Sequence, residues 1–174
     1  MKLKSVNKLY IFCGIPFSGK TTLAKKIEQV RGFKRIDLDD VKFDLFGKDI
    51  KDSDINQDGW DKVYQEMYRQ IKESLSKGTT VLSDTGNFTR SERELVGKIA
   101  DRLGIETITV FVDIPAKIAR ERLLQNRQAN NRFDVSDEDF ESTVKEMEPP
   151  DDDEPNIVYT FGESVEEWIK KYFD

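Results

Sequence analysis

Apolar and polar positions follow two rhythms along this chain, and the rhythm switches repeatedly. Leu9-Tyr10-Ile11-Phe12-Cys13, entered from Lys8, is an unbroken apolar run of the kind that forms a strand buried on both faces. Residues 22–30 then change to helical spacing, with Leu23, Ala24 and Ile27 on one side. Residues 33–38 read as a second short strand, and a short helix capped by Asp39 or Asp40 follows through Phe46. Polar residues 47–57 predict a loop. The strongest helix lies over residues 59–77. Val63, Met67, Ile71 and Leu75 recur every four positions there, and Trp60, Tyr64 and Tyr68 widen the stripe before Gly78 ends it. Residues 79–84 form a third strand, 91–103 a helix stopped by Gly104, and 105–113 a fourth strand. Pro115 opens a helix to about Gln128, and Ser136 caps another to about Met147. A fifth strand over 156–161 and a helix over 163–173 close the chain.

Strands that alternate with helices predict an α/β fold, a five-stranded parallel sheet with helices on both faces. In such sheets ligands bind at the carboxyl ends of the strands. The end of the first strand, Asp39, Asp84 and Asp113 all fall on that rim.

The first strand runs into Gly14-Ile15-Pro16-Phe17-Ser18-Gly19-Lys20-Thr21, which fits the P-loop pattern G-x-x-x-x-G-K-[ST]. Small residues let backbone N–H groups turn inward around phosphate oxygens, and the helix that begins near Thr22 points its positive end at the same anion. Lys20 brings a compact charge to the β- and γ-phosphates, and Thr21 offers Mg²⁺ a hydroxyl ligand. Asp84, at the end of the third strand, stands where a carboxylate meets Mg²⁺ or an acceptor. Phe17 replaces the glycine found in many P-loops, and its side chain is expected to point outward. ATP and Mg²⁺ are therefore the expected cofactors of a P-loop NTPase fold.

Composition narrows the chemistry. The chain has 174 residues, enough for one domain over 1–174, and its 28 basic against 34 acidic residues leave a net charge of −6. That balance gives no general case for long nucleic acid. The absence of histidine excludes histidine metal sites and Ser-His-Asp or Cys-His catalysis. Cys13 is the lone cysteine and is expected to be a small buried hydrophobe. No apolar run is long enough to span a membrane. A cleaved leader would destroy the P-loop strand, so a cytoplasmic enzyme, monomer or homodimer, is expected. The sequence Asp54-Ile55-Asn56-Gln57-Asp58-Gly59 opens like a calcium loop, but Gln65 occupies the place of the bidentate glutamate. N-K-x-D, the guanine-reading signal of a GTPase, is absent.

Charge is also unevenly placed. Residues 117–132 hold Lys117, Arg120, Arg122, Arg127 and Arg132 against Glu121 alone, whereas 134–154 hold eleven acids against Lys145. The basic block suits a lid over about 116–135 that closes on phosphate. The acidic block suits either a cationic substrate or a solvated face.

The order P-loop, acidic pair Asp39-Asp40, Asp84-Thr85-Gly86-Asn87, then an arginine-rich helix resembles one group. These are the small P-loop kinases of the AAA type related to phage-type polynucleotide 5′-kinase and to the zeta-toxin-like and chloramphenicol-phosphotransferase-like kinases. The resemblance implies transfer of the γ-phosphate of ATP·Mg to a hydroxyl on a small molecule or a nucleic-acid end. It implies that Lys20 and Thr21 hold phosphate and Mg²⁺, that Asp39 activates the acceptor hydroxyl, and that Arg122 and Arg127 close over ATP. It also implies that Lys42, Asp84, Thr85 and Asn87 line the acceptor site. Lys42 replaces an arginine of the polynucleotide kinase and cannot make its bidentate phosphate contact. Arg90 and Arg93 are further candidate substrate contacts. The alternatives are a polynucleotide 5′-hydroxyl kinase and an ATP-hydrolysing switch without an acceptor.

Overall fold

The structure is a computed structural model that describes residues 6–130 and 132–173. Strands β1 (Leu9–Cys13), β2 (Lys34–Asp37), β3 (Val81–Asp84), β4 (Thr107–Asp113) and β5 (Asn156–Thr160) form one sheet in the order β2-β3-β1-β4-β5. All neighbours are parallel. Between and after them run α1 (Lys20–Arg31), α2 (Leu38–Phe46), α3 (Gln57–Ser76), α4 (Arg90–Asp101), α5 (Ala116–Ala129), α6 (Asp137–Glu146) and α7 (Val165–Phe173). The chain thus builds the five-stranded parallel α/β sheet that its alternating pattern predicts.

β1 is buried along its whole length because it lies at the centre and is covered on both faces. Leu9 and Ile11 meet Val63, Met67, Ile71 and Leu75 of α3 and Val96 and Ala100 of α4. Tyr10 and Phe12 turn to the opposite layer, where Leu23 and Ile27 of α1, Leu123 of α5 and Trp168 of α7 pack. The period-two alternation of a strand thereby feeds two cores from one apolar run. Each fully buried aliphatic of the α3 stripe contributes about 1.5–3 kcal/mol. Helix α3 is therefore fastened by its packing far more than by its propensity.

Caps differ from expectation in one place that matters. Asp37, and not Asp39 or Asp40, caps α2, its Oδ1 accepting from the Asp39 N–H at 2.8 Å. β2 passes directly into α2, so the last strand residue becomes the cap and Asp39 moves into the first helical turn. Within the expected loop over 47–57, residues Asp52–Asp54 form a 3₁₀ turn. Asn56 then starts α3 early by accepting from the Gly59 N–H at 2.9 Å. Among the described residues no helix is long and apolar enough to cross a membrane.

The chain visits β1, then β2 at one edge, returns to β3 and crosses β1 to reach β4. The strand order therefore reverses beside β1, and a crevice opens at its carboxyl end. The P-loop leaves β1 at that point.

Candidate active site

Gly14 turns the chain out of β1 with φ 147°, and a Cβ placed there would stand 2.8 Å from the Val112 carbonyl oxygen. Only glycine fits. α1 begins at Lys20 with Gly19 as its N-cap and no side-chain cap, so its first-turn N–H groups remain available to an anion. Ser18 Oγ is buried and has no hydrogen-bond partner among the described residues. An uncapped helix start beside an orphaned hydroxyl suits a phosphate group. Lys20 Nζ donates to the carbonyls of Gly14 at 2.7 Å and Ile15 at 2.8 Å. Burial pushes its pKa down to about 8, while Asp84 acts the other way. Thr22 is exposed in the first turn of α1.

Phe17 does not point outward. It adopts φ 61° and is 6% exposed, packed into the core layer with Arg132 lying 4.3 Å over its ring. The tight loop leaves the backbone left-handed there, and the ring finds apolar cover instead of water. Cys13 is fully buried as expected, and burial raises its thiol to about 12.

Asp37 and Asp84 end adjacent parallel strands and stand opposite each other in register. Asp84 Oδ1 lies 3.3 Å from Thr21 Oγ1, and Oδ2 accepts from Arg35 at 2.9 Å. Arg35 also donates to Asp37 at 2.6 Å and to Asp40 at 3.0 Å. Burial raises Asp84 to about 6, the charge of Asp37 adds to the shift, and Arg35 opposes it. Burial likewise raises Asp37. Hard oxygen donors from Thr21 and Asp84 suit Mg²⁺, which takes one or two protein oxygens and completes its shell with phosphate and water. Arg35 was not among the expected site residues. A period-two signal was present, because Arg35 and Asp37 share one face of β2.

The basic segment divides in two. Arg122 reaches the P-loop, donating to the carbonyls of Phe17 at 3.2 Å and Ser18 at 3.0 Å. Arg127 is turned elsewhere. It holds Asp134 at 2.9 Å, Asp137 at 3.0 Å and the Val135 carbonyl at 2.7 Å, so its charge tethers the segment after α5. Arg132, over Phe17, is the second cation brought to the loop.

A cavity of about 640 Å³ joins these parts. Lys20, Thr21, Asp37, Asp39, Asp84 and Thr85 line one wall, and Trp60, Tyr64 and Tyr68 of α3 with Glu92 and Leu95 of α4 line another. Asn87 also lines it, but its side chain is buried and donates to the Phe12 carbonyl at 3.1 Å, which pins the loop after β3 to β1. Lys42 is 3% exposed and locked between Asp39 at 2.8 Å and Asp52 at 2.7 Å, with Phe43, Trp60 and Phe133 around its amine. It is not offered to a substrate phosphate. Burial opposes its charge, but the two carboxylates prevail and its pKa is raised.

Arg90 lies outside this cavity. It pairs with Glu94, Asp151 and Asp153 beside a separate groove of about 370 Å³. Buried Arg93 binds Glu154 at 2.6 Å and the Glu148 carbonyl at 2.9 Å. The acidic stretch 151–154 thus anchors two arginines of α4 rather than facing a cationic substrate or water alone. Asp113 is exposed at the end of β4, and its carbonyl accepts from the Phe161 N–H.

The described protein family whose members are termed AAA domain matches residues 9–150. The pentafunctional AROM polypeptide of Scheffersomyces stipitis is 37% identical over 84 residues, which are 47% of this chain and 5% of that polypeptide. The L-seryl-tRNA(Sec) kinase of Methanococcus maripaludis is 26% identical over 125 residues, covering 69% of this chain and 46% of that kinase. The chain therefore spans less than half the length of these relatives. Chaetomium thermophilum Kti12, solved with ADP-AlF3, superposes with a TM-score of 0.71 at 18% identity over 94% of this chain and 96% of that one. That likeness shows the fold.

Proposed function

Because the chain belongs to the AAA domain family and fits its small P-loop kinases, we propose that it transfers the γ-phosphate of ATP to a hydroxyl acceptor. One observation carries this reading. The phosphate-binding loop and the carboxylates of Asp39 and Asp84 open into a single cavity that continues past them to an aromatic wall. An ATP-driven switch has no need of that second compartment.

In this reading residues 1–174 act as one kinase domain, with 116–135 as the lid. The backbone N–H groups of Phe17 to Thr22 and the Lys20 amine bind the phosphates that the loop Gly14 to Thr22 encloses. Thr21 and Asp84 would hold Mg²⁺, which would supply positive charge against the negative charge gathering on the phosphoryl oxygens. Arg122 and Arg132 add positive charge at the loop, and Arg35 keeps Asp84 aimed at Thr21. Asp39 takes the proton of the acceptor hydroxyl, and Lys42, bonded to its Oδ1, sets the carboxylate's direction. Arg127 acts as the tether of the lid. Thr85 and Asn87 shape the acceptor floor.

The test is transfer of label from γ-labelled ATP, with Mg²⁺, to a panel of 5′-hydroxyl oligonucleotides, nucleotide sugars, sugars and amino alcohols. Lys20→Ala and Asp39→Asn are each expected to lower kcat by about a hundredfold or more. Release of label only as free phosphate, at one rate with every acceptor, would support the switch instead.

A further inference from the structure

The acceptor half of the cavity has a charge pattern opposite to that of the phosphate half. Among the described residues, the cations of the lining are Lys20 and Arg132, and they belong to the P-loop side. The remaining charged lining beyond the strand ends is acidic: Asp39, Asp52, Asp61 and Glu92. Lys42 is spent on Asp39 and Asp52. Asp61 and Glu92 carry no ion pair among the described residues. Asp61 accepts from Gln57 Nε2 at 2.8 Å, and Glu92 accepts from the Thr89 N–H at 2.9 Å.

Aromatic faces run between these carboxylates. Trp60, Tyr64 and Tyr68 form a continuous row on α3, with ring centroids 6.4 Å and 6.1 Å apart. Burial raises the phenols of Tyr64 and Tyr68, and the neighbouring charge of Glu92 raises both further. Ring faces attract cations through their quadrupoles, and the exposed carboxylates of Asp61 and Glu92 beside them add attraction through charge. A phosphate placed against this wall would meet the unpaired carboxylates of Asp61 and Glu92 and, among the described residues lining that wall, no arginine or lysine.

We infer that the acceptor is an alcohol bearing a positive charge, an amino or quaternary ammonium alcohol. Its cation rests on the Trp60–Tyr64–Tyr68 row near Asp61 and Glu92, and its hydroxyl turns toward Asp39. This inference rests on the phosphotransferase reading for the meaning of the hydroxyl, but the cation subsite is testable by binding alone. A phosphate-bearing acceptor, including a polynucleotide end, is the alternative that it rejects.

The experiment is isothermal titration of the protein with Mg²⁺ and a non-hydrolysable ATP analogue present. Two matched pairs are compared: choline with 3,3-dimethylbutan-1-ol, which has the same shape without the charge, and kanamycin with its fully N-acetylated form. Glycerol 3-phosphate is the anionic control. At least one charged member is expected to bind tenfold or more tightly than its neutral partner. Trp60→Leu and Asp61→Asn should each reduce that ratio at least threefold, and analogue binding in the same titration reports that each variant is folded. Equal binding within both pairs, no binding of either cation, or preference for glycerol 3-phosphate would overturn the inference. None of these results involves phosphoryl transfer. A lost charge preference with transfer intact sinks only this inference, whereas absent transfer with the preference intact sinks the kinase reading.

Discussion

Asp84 is under two opposing demands. The proposed mechanism needs it ionised beside Thr21, yet burial raises it from 3.8 to about 6. Between those values the folded chain holds more protons than the unfolded chain, so this group's contribution makes stability fall as pH rises from about 4 to about 6. Asp37, raised by burial, acts in the same direction. Urea denaturation in Mg²⁺-free buffer is expected to show that component in the native chain and to lose it in Asp84→Asn. An identical pH slope in the two proteins would refute the assignment. Asp84 was legible in the sequence because it ends an apolar strand. Its partner Arg35 was not, because the pair is separated by 49 residues and meets only through the pairing of β2 with β3.

Helix α4 shows how an element is placed by its first turn. Thr89 and Glu92 form a reciprocal capping box, and Arg93 one turn in binds Glu154 and the Glu148 carbonyl. Glu92 thereby faces the cavity while its other role is structural. Thr89→Ala should cost about 1 kcal/mol of stability, read as a lower denaturation midpoint at an unchanged slope. A change in slope would instead mean a less compact native state. Periodicity located α3, because its buried stripe repeats every four residues, while Gly104 and Pro115 marked the end of α4 and the start of α5. It said little about Arg90 and Arg127. Neither lies on a buried stripe, and carboxylates outside their helices, at 134, 137, 151 and 153, decide where they point.

At the scale of the whole molecule, the P-loop anchors Ile15 and Phe17 in the core layer it shares with α1, α5 and α7, and α5 contributes Arg122 to it. Nucleotide binding should therefore stabilise the fold as a unit. With ATP and Mg²⁺ at a hundred times Kd the linkage is worth about 2.7 kcal/mol. A rise in Tm is expected in the native chain and its loss in Lys20→Ala, measured by differential scanning calorimetry. An equal rise in the variant would place the nucleotide away from this loop.

Local sequence was sufficient for the succession of strands and helices, the parallel α/β class and the phosphate-binding turn. Each of these depends on neighbours within a few residues: an apolar run, a helical stripe, a cap, or a glycine where no Cβ fits. Tertiary structure alone decided how the charges are shared. Strand order set Arg35 against Asp84, the loop after α2 enclosed Lys42 between Asp39 and Asp52, and burial of Phe17 brought Arg132 to the P-loop. Charged side chains are long, and Arg35 and Arg132 meet groups far along the chain, so their direction follows from which elements the core brings together.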